Sequence, residues 1–458
     1  MLSWRELLNP IRRKKLHGSD ESMGTAIGRM ELERDYDRIL FAAPTRRLAD
    51  KTQVFPMEEN DSVRTRLTHS HEVSNLARSI GVRIAFEHAD KVFGDGHEDF
   101  QVQRNVPSLL AAVGLAHDLG NPPFGHQGEL AMQQWFKEGG CGEGVTVDED
   151  FLAFDGNAQT FRLLTRLQVL NDEFGLNLTV ATLAALLKYP SVYGSNNQGG
   201  FKKYGVFNSE KNIIEEIWQQ TGLTEGVRHP LAYIMEACDD IAYSIIDAED
   251  TVKKGYASFY DLMDHLENDG KTDIVIQDVV KSSRLKNMEF KKGSLSSREL
   301  NDISMQMFRV KAISKMVISG TFVFVDNIEK MLDGSITEGF ELIKNSDCSN
   351  LCQSVKGFDY RHGFQNREVL RLELQGSNYI KSMMTMLWRA VSRNDDDNYP
   401  FERYVFGEIS ENYRRVYDGS SKGQYEKCQL VCDALSGMTE SYLISKHDEY
   451  KALENVIS

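Results

Sequence analysis

The chain contains no apolar run approaching the eighteen or so residues that a membrane-spanning helix needs, which argues against a helical membrane protein. It contains no Gly-rich phosphate loop of the P-loop type, so any phosphate chemistry must be organised differently. None of its six cysteines, Cys141, Cys238, Cys348, Cys352, Cys428 and Cys432, forms a CxxC pair. Two of the spacings are i,i+4, which suits a helix face better than a zinc ribbon or a disulfide framework, so they read as buried thiols. Positive charge is also short. A net charge of −15 argues against a nucleic-acid coat or an anionic membrane as the main partner. An acidic chain that handles phosphates must gather its Lys and Arg locally. No internal repeat is visible. The first residues, MLSWRELLNPIRRKK, lack the apolar core and cleavage site of a signal peptide, and a cytoplasmic location is expected.

What is present is length and one informative stretch. At 458 residues the size of the core is not limiting. The stretch is LLAAVGLAHDLGNPPFGHQGE, Leu109 to Glu129. Its first half is apolar on nearly every side and reads as a buried helix, into which His117 and Asp118 are set side by side. A hydrogen-bonded structural pair is the usual meaning of a His-Asp dipeptide. Burying both groups costs on the order of 2 to 7 kcal/mol for a polar group and more for a charge, and a bound cation is the simplest remedy. Gly120 and Pro122-Pro123 then stop the helix, because proline lacks an N–H and clashes with the preceding turn. A second helix begins at once and carries His126 and Glu129 three apart on one face.

Upstream, a helix is expected from Ser62, with Val73, Leu76, Ala77, Ile80 and Ile84 as its apolar stripe. Stepping back four from Val73 reaches His69, which therefore faces the core. His71 lies roughly 200° around the helix, on the polar side. Arg66 shares the inward face and suggests an anionic ligand, with a buried ion pair as the structural alternative. Residues 1 to 60 read as a charged, weakly periodic arm. Helices are expected at NAQTFRLLTRLQVL and LTVATLAALLKYP, the second leading into Lys188 and Tyr189. A polar Gly-rich stretch follows, whose Lys202, Lys203 and Lys211 are candidates to reach phosphates. In the helix Pro230 to about Lys254, Asp239, Tyr243 and Asp247 are spaced i, i+4, i+8 beside the apolar stripe, while Asp240 aligns with Glu236 and Ser244 on a polar face. Beyond residue 255 the pattern is less legible. Long helices are expected from about Ser297 to Met331 and from Tyr379 to Arg393, separated by a polar break near 347–363 and followed by an acidic break, RNDDDNYP.

His69, His117, Asp118 and Asp239 thus converge as ligands of one divalent cation. Two imidazoles with two carboxylates suit Mn, Fe, Co or Mg better than a sulfur-rich zinc site. His126 and Glu129 would be the proton-handling pair beside it.

This ordered H…HD…D pattern resembles the HD-domain phosphohydrolase superfamily. RLTHSHEVSNLARSIG, AHDLGNPPFGHQGE, FDGNAQTFRLL, LLKYP, EACDDIAYSIIDAED and QLVCDALSGMTESY are similar to the bacterial deoxyguanosine triphosphate triphosphohydrolases, relatives of the animal dNTP triphosphohydrolase. The resemblance runs from about Asp35 to His447, weakest between residues 255 and 400. It implies an all-α HD-domain helical bundle: an N-terminal arm (1–60), a catalytic core (61–255) and a helical C-terminal region packed on the core (256–458). It implies cleavage between the sugar 5′ oxygen and the α-phosphorus, dGTP preferred, releasing deoxynucleoside and tripolyphosphate with manganese or magnesium as the cofactor, iron or cobalt being alternatives. His69, His117, Asp118 and Asp239 would hold the metal. His126, steered by Glu129, would be the acid/base or the attacking group. Gln53 and Asp247 would meet the sugar 3′-hydroxyl, and Tyr243 would crowd out a ribose 2′-hydroxyl. Arg66, Lys188 and Lys211, with Asn157 and Tyr189, would bind the phosphates, and Arg414 would reach a nucleotide site from a neighbouring subunit or the C-terminal part. In the arm, Pro44-Thr45 precede Arg46-Arg47-Leu48 where the family has a phenylalanine, so base preference is the least supported element. The resemblance also implies a homo-oligomer, with six subunits expected, and single-stranded DNA as a further partner. The competing readings are an HD phosphohydrolase of a mono-, cyclic or bis-phosphate nucleotide, and a nucleotide- or ssDNA-sensing assembly protein with minor hydrolysis.

Overall fold

The computed structural model describes residues 1–18, 28–57, 62–168, 172–195, 201–337, 339–394 and 398–457. Parts of the Gly-rich stretch, the acidic break and the end of NAQTFRLLTRLQVL lie outside these. Among the described residues there is no β-strand, only three isolated bridges, so the expected all-α class holds. No described helix is long and apolar enough to cross a membrane.

Nine helices frame the site and its surroundings. They are α1 (Arg66–Glu87), α2 (Val102–Ala116), α3 (Gly125–Lys137), α4 (Pro230–Lys253), α5 (Ser297–Asp333), α6 (Ser349–Asp359), α7 (Arg367–Arg393), α8 (Gln424–Ser436) and α9 (Glu440–Ile457). Thr65 caps α1 in extended conformation, and Val73, Ala77, Ile80 and Ile84 are buried against Val106, Leu109, Leu110 and Val113 of α2. Each Val, Leu or Ile among them contributes about 1.5–3 kcal/mol on full burial. The two helices cross so closely that a Cβ on Gly114 would stand 2.7 Å from the Cα of Ser74. Only glycine permits that approach. The crossing sets the first turn of α1 beside the last turn of α2, where the ligand-type residues are.

The helix α4 packs on α1, α2, α5 and α6. Its polar face is not a solvent face. Glu236 is buried and paired with Arg228 at 2.5 Å, Ser244 is buried, and Asp240 accepts from Lys356 of α6 at 2.7 Å. The polar break near 347–363 is largely helix, α6 and a π-turn at Tyr360–Phe364, and α7 begins a dozen residues before its expected start. Asn366 caps α7 by accepting from the Glu368 N–H at 2.9 Å. The charged first turns of α7 hid its helical period.

The described parts of the arm pack on the body. Trp4 donates its indole N–H to Val92 O at 2.7 Å, and Leu7 and Leu32 belong to the main core. Arg12 pairs with buried Asp35 at 2.7 Å, whose other oxygen accepts from Thr179 N–H at 3.0 Å and its hydroxyl at 2.6 Å. At the far end, α7 packs on both α3 and α8. Buried Arg162 binds Asp433 of α8 and Glu210, each at 2.7 Å.

Candidate functional site

The helix α2 ends at Ala116, so His117 is its cap and Asp118 lies in the following turn, rather than inside the helix as the sequence suggests. Leaving the helix there lets the two neighbours turn to one side, with His117 Nε2 3.5 Å from Asp118 Oδ2. His69 reaches in from the first turn of α1, and its Nε2 is 3.3 Å from Asp239 Oδ1 of α4. His117 Nε2 is 3.6 Å from the same oxygen. One ligand atom each from His69, His117 and Asp239 lies within 4.8 Å of the others. Asp118 stands at the edge of this trio, paired with Arg66 and accepting from Asn121 Nδ2 at 2.8 Å. The helical phase of α1 is as expected: His69 is 1% exposed while His71 is exposed.

The donor set fits a cation. His117 Nδ1–H donates to Gly114 O at 2.7 Å, which fixes the tautomer and leaves the Nε2 lone pair facing the carboxylates. That Nε2 is buried and has no hydrogen-bond partner. Burial alone would lower the His117 pKa, yet Asp118 and Asp239 push it up to about 9. A place that draws a proton on to a buried imidazole draws a metal ion by the same field. Mixed imidazole and carboxylate donors suit Mn, Fe, Co or Mg.

A second centre faces the first. His126 Nδ1–H donates to Glu129 Oε2 at 2.9 Å, and Glu129 Oε1 accepts from the Gly156 N–H at 2.7 Å. The bond to Glu129 outweighs partial burial and raises the His126 pKa. Gly125, with φ +53°, makes this geometry available, since a Cβ there would collide with the Arg66 guanidinium. Of the three lysines in the Gly-rich stretch, Lys203 is the one beside this pair, 3.8 Å from Glu129 and 2.6 Å from Asp155. Lys202 is exposed, and Lys211 opens a separate helix where it faces Glu215 at 4.0 Å.

Both centres open into one cleft of about 460 Å³, which Gln53, Arg66, Asn157, Lys188 and Tyr243 also line. Lys188 Nζ lies 3.8 Å from Asp239 Oδ2, and Gln53 Oε1 is buried without a partner. Four sequence candidates do not line it. Lys211 is one, for the reason just given. Tyr189 turns its ring toward Phe201, with Lys188 above it. Asp247 is 1% exposed, and both its oxygens lack partners. Burial, then the neighbouring Asp359 and Asp250, holds its carboxyl well above the usual range. At 1.5 Å per residue it sits about 12 Å along α4 from Asp239, too far to share the metal trio. Arg414 donates to Ile409 O at 2.9 Å in the C-terminal part.

Sequence reasoning missed the wall from Tyr360 to Glu373. Phe364 stacks on Tyr243 at 5.9 Å, and Gln365, Leu370 and Glu373 complete that side. The Asn366 N-cap was the available signal, since the charged first turns that follow it mask the helical period.

The family model for the HD domain matches residues 66–151, which holds His69, His117, Asp118, His126 and Glu129. Over 96% of its length the chain is 33% identical to a deoxyguanosinetriphosphate triphosphohydrolase-like protein of Listeria innocua, covering 97% of that protein. It is 32% identical over 92% of its length to the deoxyguanosinetriphosphate triphosphohydrolases of Yersinia pestis and Yersinia pseudotuberculosis, covering 93% of each. With both centres in one cleft and this likeness spread along nearly the whole chain, the protein belongs to the deoxyguanosinetriphosphate triphosphohydrolase family of HD-domain enzymes.

Proposed function

We propose that this enzyme hydrolyses deoxynucleoside triphosphates, dGTP in preference, to deoxynucleoside and tripolyphosphate, using one divalent manganese or magnesium ion. The observation that carries the reading is the meeting of His69, His117 and Asp239 within 4.8 Å, in a cleft that also presents His126, Arg66 and Lys188. His69, His117, Asp118 and Asp239 would hold the ion. When bound, it polarises a phosphoryl oxygen and lowers the pKa of a water.

The chain's own residues do the remainder. Arg66 and Lys188 offset the roughly four negative charges of a triphosphate through charge-assisted bonds, with Asn157 in the same lining and Lys203 adding its charge from beside Glu129. Water adds to the α-phosphorus and loses its proton to solvent, the bond to the 5′ oxygen breaks, and His126, held by Glu129, delivers the proton that the departing oxygen needs and is reprotonated from solvent. Gln53, with its free Oε1, accepts from the sugar 3′-hydroxyl. Tyr243, braced by Phe364, occupies the space a ribose 2′-hydroxyl would need. Guanine preference rests on the relatives' names. The same reading makes the protein a cytoplasmic homo-oligomer of six subunits, in which Arg414 serves a neighbour's site. Single-stranded DNA as a further partner rests on the family resemblance alone.

The test is product analysis. The purified protein is incubated with each dNTP and Mn or Mg. Deoxynucleoside with tripolyphosphate, fastest for dGTP, is expected, whereas monophosphate with pyrophosphate refutes the reading.

A further inference from the structure

The turn that joins α8 to α9, within the QLVCDALSGMTESY segment, touches neither centre, yet it ties together two segments that line the cleft. Glu440, buried at the start of α9, places its carboxylate between them. Its Oε1 accepts from the Thr52 N–H at 2.6 Å and the Phe124 N–H at 3.0 Å. Its Oε2 accepts from the Thr52 hydroxyl at 2.5 Å, with the Met57 N–H at 3.5 Å. Lys51 repeats the connection one residue earlier. Only 3% exposed, it donates to Asn121 O at 2.6 Å and to Ser436 O at 2.8 Å. Arg47 adds a bond to Gly437 O at 3.1 Å.

Each point gripped adjoins a working residue. Thr52 precedes Gln53, and its carbonyl accepts from Arg66 Nε at 3.1 Å. Phe124 lies two residues before His126 and has φ 62°, a left-handed backbone that L side chains seldom adopt. Such a conformation persists where its surroundings over-determine it, and here a buried carboxylate receives its N–H.

We propose that Glu440 is a positioning residue for the reaction, clamping Thr52 to Phe124 so that Gln53 and His126, one and two residues further on, keep a fixed relative position at the cleft. This rests on the proposed reading that Gln53 meets the sugar 3′-hydroxyl and His126 handles the proton. Supporting groups of this kind are worth about 10- to 100-fold in activity, because small displacements at the reacting atoms are costly. The C-terminal region is then part of the catalytic apparatus.

The experiment compares full-length wild type, Glu440→Ala and Glu440→Gln in manganese, by kcat/KM for dGTP and for its 2′,3′-dideoxy analogue, and by amide hydrogen exchange. In Glu440→Ala, turnover of dGTP falls by about 10- to 100-fold and that of the dideoxy analogue falls less, so the ratio between them collapses. Exchange rises in peptides spanning residues 48–57 and 121–128. Glu440→Gln retains an acceptor oxygen and restores most of the ratio. If the alanine variant does not fold, Glu440→Asp, one methylene short, is read by the same criteria. An equal loss for both substrates, or an unchanged ratio, means a structural role and overturns the proposal, as does unchanged exchange in both peptides. A wild type that makes no tripolyphosphate overturns the catalytic reading instead, and the exchange result then still decides whether Glu440 is a clamp.

Discussion

Replacing Glu129 by glutamine isolates the proton-handling pair with little change of shape. In the native protein Glu129 Oε1 accepts from Gly156 N–H and Oε2 from His126 Nδ1–H. A glutamine must spend its single acceptor oxygen on one of them. The Gly156 N–H is a buried backbone donor at 2.7 Å that has no alternative, so the amide NH₂ turns toward His126 and donates to Nδ1. The imidazole proton moves to Nε2, and the protonated ring loses its partner. The charge-assisted bond alone is worth about 1.5–3 kcal/mol, or roughly 10- to 150-fold in rate. The wrong tautomer adds to this, up to the roughly 10⁴-fold that general acid–base catalysis contributes in total. The sign of the pH effect follows from the raised pKa of His126. A raised pKa keeps the acid form present to higher pH, with activity lost as pH climbs through it. Glu129→Gln removes the cause of the rise and moves that alkaline limb to lower pH. The assay is tripolyphosphate release against pH, with bound manganese measured alongside and expected to stay at the wild-type level. A loss of kcat under about threefold, or an alkaline limb that does not move, refutes this account of the pair.

Asp118→Ala is expected to abolish turnover and metal retention together, while His71→Ala leaves both near wild type, because His71 is exposed on the opposite face of α1. Equal losses, read by metal content and product formation, contradict the helical-phase argument. Tyr243→Ala should narrow the discrimination between dGTP and GTP by about 10-fold or more, by opening the space beneath C2′. Unchanged discrimination in competition assays counts against steric exclusion. Arg162→Ala strands two buried carboxylates, Glu210 and Asp433, and should cost about 3–5 kcal/mol. Denaturant midpoints check this, and a cost below about 1 kcal/mol would show that the ion cluster is not what ties α8 to the core.

Much of the candidate site's arrangement was readable because it is local. The 3.6-residue period separates buried His69 from exposed His71, and the i,i+3 spacing of His126 and Glu129 becomes a 2.9 Å bond. The apolar flanks of His117 and the Pro122-Pro123 stop mark a turn between two helices, although the first ends at Ala116, before His117 and Asp118 rather than at Gly120. Those features depend on backbone sterics and on side chains within a turn or two of each other, and one sequence carries them in full.

Other features were not readable from the chain alone. That Lys203 reaches Glu129 while Lys211 faces solvent depends on how a loop returns to the body. That Asp247 is sealed beside Asp359, and that Phe364 backs Tyr243, depends on which residues α6 and the π-turn lay against α4. That Glu440 grips Thr52 and Phe124 depends on a contact spanning more than 300 positions. From sequence alone came the helices around the candidate site, the inward faces of His69 and Asp239 and the identity of the chemical groups. Which of those groups meet was decided only by tertiary packing, because burial against distant elements rewards the sum of many contacts and leaves no period in the chain to read.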